Sequence, residues 1–161
     1  MITSTALMAL QLILTSTPPS MTGQIPMLHI SNVKQIDNLD RGTPLGKNRA
    51  DFYANVTVNG VLTQTEKFAT DNGDPDWKIM LDTKKRINTI KIALWDDDGG
   101  LAGNDDHSDI NPSNRTKDII FTYDRYTGKI RGDVRGSFND VMTSKGMNDE
   151  YQAQISFRIT K

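Results

Sequence analysis

An all-β antiparallel sandwich of about eight strands is the fold class this sequence predicts, on three observations. Short runs of alternating apolar and polar residues recur along the chain, turn-forming residues separate them, and no helical period follows residue 20. The 161 residues are enough for one domain with its own core and no obligatory staple. A net charge of −1 and a pI near 6.1 supply no concentrated basic face, so nucleic acid is not an expected partner. With no cysteine there is no disulfide framework, thiolate nucleophile or zinc–thiolate site.

Residues 1–33 contain no Asp, Glu, Lys or Arg and include the apolar run from Ala6 to Leu14. That run is shorter than the roughly 20 apolar residues a membrane-spanning helix needs. Its length suits the apolar region of a signal peptide, and the small and polar residues 15–20 follow as a cleavage region or linker would. No basic residue precedes it, which leaves open a buried or amphipathic N-terminal helix, or translation starting at Met8 or Met21. Residues 1–20 are therefore expected to be a signal peptide or a disordered segment, and the protein to be secreted or at the cell surface. A downstream start would make it cytoplasmic. The folded domain is expected over residues 27–161.

Residues 27–36 have strand character, and a polar loop follows to Arg49. Residues 51–58 alternate cleanly, with Phe52, Ala54, Val56 and Val58 on one face. They lead into Asn59-Gly60, which predicts a type I′ hairpin turn because both central residues need positive φ, with residues 61–69 returning as the partner strand. After turn chemistry at residues 70–75, Trp77 to Leu81 reads as a short strand and Lys84-Lys85-Arg86 as a solvated bend. Residues 87–95 alternate with Ile90, Ile92 and Leu94 together. Ile119, Phe121 and Tyr123 begin a second hairpin that turns at residues 126–128 and returns through Ile130. Residues 136–148 read as irregular. Tyr151, Ala153, Ile155, Phe157 and Ile159 form the apolar face of a last strand.

The chain's most unusual stretch begins where the strand over residues 87–95 ends. Residues 95–110 hold six aspartates and no lysine or arginine. Alternation along a strand points Asp96 and Asp98 the same way and turns Asp97 aside, leaving it to offer mainly its carbonyl. Gly99, Gly100 and Gly103 relax the loop enough for Asp105, Asp106 or Asp109 to approach the same point. An all-oxygen donor set suits calcium, which takes six to eight oxygen ligands in a tolerant geometry. Magnesium asks for stricter octahedral geometry, and zinc or copper for His or Cys. An EF-hand is excluded by spacing, since a loop starting at Asp96 puts Leu101 at the required glycine and His107 at the bidentate glutamate. The competing reading is a solvated acidic loop with no specific ligand.

Three motifs in order, Ala50-Asp51-Phe52-Tyr53-Ala54-Asn55-Val56, Asp74-Pro75-Asp76-Trp77, and Ile90 to Asp98 with the later Asp109-Ile110, resemble those of the calcium-binding C2 domain, here in a form suited to bacterial secretion. The likeness spans roughly residues 27–160. It implies a C2-like sandwich with metal-binding loops at one end. Asp51 and Asp40 would contribute from the first loop, Asp96 and Asp98 with Asp105, Asp106 or Asp109 from the third. Asp105 and Asp106 are closer to the family's spacing, whereas Asp109 has the expected apolar follower. Phe52 stands where the family has proline, and both loops are longer than usual.

Other signals point away from catalysis. There is no Gly-x-Ser-x-Gly, His-Glu-x-x-His or phosphate-binding glycine loop. Clustered aspartates lack the separation and contrasting environments of a glycosidase pair. His29 reads as isolated, His107 as a solvated loop residue, and Trp77 and Trp95 as packing residues. The expected function is a calcium-binding extracellular structural or adhesion module that meets a surface protein or polysaccharide. The alternative is calcium-dependent binding to anionic phospholipid membranes, assisted by Lys84-Lys85-Arg86.

Overall fold

The computed structural model describes residues 25–37, 49–98, 105–113, 115–148 and 150–161. The segment at residues 1–20 and the residue Asp40 lie outside them. Among the described residues there is no helix, and the strands in order are β1 (Met27–Gln35), β2 (Asp51–Val58), β3 (Val61–Gln64), β4 (Phe68–Ala69), β5 (Asn72–Gly73), β6 (Trp77–Met80), β7 (Ile87–Asp96), β8 (Asp106–Ser108), β9 (Ile119–Asp124), β10 (Lys129–Gly132), β11 (Gly136–Ser137), β12 (Met142–Lys145) and β13 (Ala153–Thr160). They form two antiparallel sheets. One runs β12-β13-β1-β5 with β6 also on β1; the other runs β11-β10-β9-β7-β2-β3, with β4 on β2 and β8 on β7.

Period-two alternation places the core between these sheets. Phe52, Ala54 and Val56 of β2, Ile90, Ile92 and Leu94 of β7, and Ile119, Phe121 and Tyr123 of β9 are buried from one side. Leu28 and Ile30 of β1, Ile79 of β6, and Ile155, Phe157 and Ile159 of β13 are buried from the other. The Phe121 and Phe157 rings stack across the interface with centroids 5.3 Å apart. Each fully buried side chain of this size contributes on the order of 1.5–3 kcal/mol.

Three local features depart from simple alternation. In β1 the pairing with β13 shifts between Ile30 and Asn32, and the added residue makes Val33 rather than Asn32 the next inward side chain. The Asn59-Gly60 turn has φ of 53° and 90°, the two positive angles of a type I′ turn. Its return strand is interrupted, however. The Thr65 hydroxyl accepts the Ala54 N–H at 2.8 Å where a ladder carbonyl would stand, so pairing with β2 stops at Gln64 and resumes at Phe68.

The stretch over residues 136–148 is a correction to the sequence reading, because it contains β12, an edge strand on β13. Its inward residues are Met142 and Ser144, and the Ser144 hydroxyl donates to the Ile110 carbonyl at 2.7 Å. A polar residue at a buried strand position erases the alternation by which a strand is recognised. Tyr151 is also outside the last strand; with φ of 59° it turns the chain into Ala153 instead of extending the inward run.

Candidate cation-binding end of the sandwich

Antiparallel pairing of β2 with β7 sets the start of one against the end of the other, Phe52 opposite Asp96. Asp51 therefore meets the end of the Ile90-Ile92-Leu94 face, whose next inward residue is Asp96, 1% exposed. The Asp96 carboxylate accepts the Asp51 N–H at 2.6 Å, and the Asp51 carbonyl accepts the Asp97 N–H at 3.1 Å. These two bonds tie the first motif to the acidic stretch. β8 brings the far side of that stretch back along β7, with Asp106 opposite Asp96 and His107 opposite Trp95.

Directly opposed residues of an antiparallel pair project to the same side of the sheet. Asp96 and Asp106 thus share the inner rim, while Tyr53, Trp95 and His107 share the outer face. On that face the Tyr53 hydroxyl donates to Asp105 at 2.6 Å. Burial, then the Asp105 bond and charge, push this hydroxyl well above its ordinary range. Asp97 is not idle at its side chain, since Lys67 donates to its carboxylate. That bond, with the charges of Asp97, Asp105 and Asp51, raises the Lys67 ammonium above its usual value. Neither Lys67 nor Tyr53 carries a signal of this role in the sequence. Lys67 stands alone in a polar turn, and Tyr53 reads as an ordinary outward strand residue.

Asp98 sits half-buried next to this cluster. Burial raises its carboxyl above the usual carboxylate range, and the charges of Asp106, Asp105 and Asp97 add to that effect. Asp51, Asp96, Asp98, Asp105 and Asp106 are thus brought to one end of the sandwich. Among the described residues, no group of three or more acidic or histidine side chains is spaced to hold a metal ion as it stands. The fit to calcium is one of donor chemistry and charge, since the five aspartates offer only oxygen and their like charges oppose one another.

Asp109 takes a different place. It is fully buried, three residues along from Asp106 and away from the rim, and its carboxylate accepts N–H groups of Asn111 at 2.9 Å, Met147 at 3.0 Å and Asn148 at 2.8 Å. Backbone bonds from Asp109 to Tyr151 and from Ala153 to Asp109 fix its main chain too. Gly146 passes so close that any Cβ there would press on the Asp109 carbonyl and carboxyl carbon. This aspartate organises the loop before β13.

Neither histidine is as the sequence suggested. His107 is stacked on Trp95, with centroids 4.3 Å apart, and its Nε2 lies 2.6 Å from Asp118, whose other oxygen meets Lys91 at 2.6 Å. Burial pushes Asp118 up, but His107 and Lys91 outweigh it and hold the carboxyl below its ordinary value. His29 is buried with its Nε2 2.8 Å from Asp76. Lys84-Lys85-Arg86 precedes β7, whereas the acidic rim follows it. A strand of ten residues separates them by about 30 Å, so the basic trio does not adjoin the rim.

No family model matches the chain, and no curated protein matches it. Solved structures do. A C2 domain of a plant extended synaptotagmin 1 is similar over 84% of this chain and 92% of that one, with a TM-score of 0.44 and 10% identity. The likeness is to a C2 domain fold. Human GIVD cytosolic phospholipase A2 is similar over 86% of this chain, with a TM-score of 0.43 and 11% identity. Its complex with an inhibitor and terbium chloride gives 84%, 0.43 and 12%. The chain spans 17% of the length of those phospholipases. At such identities the likeness concerns fold, and the case for a ligand rests on the residues of the rim.

Proposed function

We propose that the acidic end of the sandwich binds calcium, and that the ion rigidifies the loops there in an extracellular structural or adhesion module. The observation that carries this reading is the crowding of Asp98 by Asp106, Asp105 and Asp97, a concentration of like charge that a divalent cation relieves. Asp51, Asp98, Asp105 and Asp106 are the side chains offered to the ion, and Asp96 holds the Asp51 backbone in position. Asp40 belongs to the same proposal through the first loop. Asp109 is left out, because its oxygens already accept three N–H groups.

For an extracellular module the expected dissociation constant is about 10⁻⁴ to 10⁻³ M. Calcium at 100 times that constant would add about 2.7 kcal/mol of stability. The test is calorimetric titration of the wild type and of Asp98→Asn, with melting temperature recorded in calcium and in EDTA. Heat in the wild type, reduced by the substitution, is expected. An absence of heat together with a melting temperature indifferent to calcium sinks the reading. Export is tested by the N-terminal residue of the mature protein, where cleavage near residue 20 supports it and an intact Met1 in the cell refutes it.

Calcium-dependent binding to anionic phospholipid is the second reading, in which the same ion bridges the rim to headgroups. The basic trio Lys84-Lys85-Arg86, at the other end of β7, gives it no help. Co-sedimentation with anionic liposomes, with and without calcium, separates the two, since the structural module requires calcium stabilisation but no liposome binding.

A further inference from the structure

Along one side of the sandwich an apolar groove of about 360 Å³ lies open between β3 and β6. Val58, Ile79 and Leu81 form its floor, and Val61 and Met80 its rims. Val61 is opposite Val58 and Thr63 opposite Val56, so both face inward as those core residues do. Yet Val61 is 70% exposed, and Met80 across the groove is 68% exposed. An inward-facing valine left in water means that the core is not closed along this side.

The main chain of β3 is open there as well. The Thr65 N–H donates to the Ala54 carbonyl at 2.9 Å, so the two-residue period makes Thr63 and Val61 bond β2 and turns the N–H and C=O groups of Leu62 and Gln64 to the outer edge. Among the described residues no strand pairs with that edge. Exposed edges are ordinarily protected by charge, proline or a bulge. Val61-Leu62-Thr63-Gln64 has no charge and no proline, its pairing with β2 is regular, and Leu62 is itself 62% exposed.

We propose that this edge is a homodimer interface, in which β3 of two copies pairs antiparallel about a two-fold axis at Thr63. This register sets Leu62 of each copy opposite Gln64 of the other, so that outward-turned N–H and C=O groups bond reciprocally within the strand. An axis at Leu62 would instead set Gln64 against Gly60, whose φ of 90° is not extended. The axis stands perpendicular to the sheet, which puts the two grooves on the same side and joins them beneath the paired strands. Charge is complementary. Glu66 of each copy is carried to Gly60 of the other, at the end of the groove where Asn59 and Lys85 stand. Among the described residues neither Glu66 nor Lys85 makes an ion pair, and the dimer brings them together by symmetry at both ends. So short a strand covers fewer residues than the roughly 20–30 per side of a standard interface, which makes the association reversible and set by concentration. The edge lies toward the end of β2 remote from the acidic rim and needs no calcium.

The test is sedimentation velocity on the full chain in EDTA over about a hundredfold range of concentration, with amide hydrogen exchange at both limits. A monomer–dimer equilibrium is expected. Exchange at Leu62 and Gln64 should slow as the dimer forms, while Val61 and Thr63, already bonded to β2, change little. Leu62→Lys with Gln64→Lys sets like charges opposite one another across the axis and should weaken the dimer by about tenfold or more. Leu62→Lys with Gln64→Glu sets opposite charges there and should keep it. Both variants should melt as the dilute wild type does. Where the lysine pair lowers that melting temperature, weakening of the dimer by Lys85→Glu and its rescue by Glu66→Lys decide instead. A monomer at every concentration overturns the proposal, including one whose Leu62 and Gln64 amides are protected throughout, which would assign the edge to a segment of the chain itself. A dimer equally tight in both charge variants overturns it too.

Discussion

Replacing Asp109 discriminates between its two readings, because a loop-organising carboxylate and a calcium ligand fail in different ways. In the folded chain it accepts three backbone N–H groups at 2.8 to 3.0 Å, two of them from residues 38 and 39 positions downstream. Removing the acceptor strands those donors, at about 1–3 kcal/mol for each one out of reach of water. The Asn111 donor lies in a buried bond, whereas those of Met147 and Asn148 are closer to the surface and recover some hydration. Asp109→Ala is therefore expected to cost about 3–6 kcal/mol, a large part of the 5–15 kcal/mol typical of a domain. Asp109→Asn keeps one acceptor oxygen and should cost about 1–3 kcal/mol. Urea unfolding in EDTA reads both, provided the slope with denaturant is unchanged. A loss below about 1 kcal/mol for the alanine variant would refute the structural role. Loss of calcium heat with stability intact would return Asp109 to the ligand set.

Gly146→Ala tests the same cradle from the other side: its methyl group presses on the Asp109 main chain, and a loss of about 1–3 kcal/mol is expected by urea unfolding. A neutral result would mean that the loop before β13 yields easily. The Arg86–Asp124 pair predicts an acid-labile contribution. The Arg86 bonds, helped by the Tyr126 and Thr127 N–H groups and opposed by slight burial, pull the Asp124 carboxyl down from 3.8 to about 2. Because the folded value is the lower one, this stabilisation is present above pH 4 and is lost as pH falls toward 2. Unfolding midpoints of wild type and Asp124→Asn should therefore converge between pH 5 and 2, and a constant gap across that range would count against the pair.

Much of the fold was legible in the residues themselves. The inward face of β2, of β7 and of β13 follows from alternation alone, because successive strand side chains point to opposite sides whatever the partner. The Asn59-Gly60 turn was equally readable, since few dipeptides accept two positive φ angles. Where a local signal was absent, the reading stopped. β12 hides a buried serine in its alternation, and the bulge in β1 shifts the inward phase by one residue.

The candidate site divides along the same line. By itself the sequence determined that aspartates cluster at the exit of β7 and that Asp96 continues the Ile90-Ile92-Leu94 face, because both follow from local order and strand period. Only the tertiary structure decided which donors each of these carboxylates meets. Lys67, thirty positions from Asp97, donates to that side chain; Tyr53 donates to one oxygen of Asp105; and Asn111, Met147 and Asn148 donate three N–H groups to Asp109. A carboxylate's ligand capacity is set by the donors that surround it in space. Here those donors arrive from elements whose distance along the chain carries no signal in any short stretch of residues.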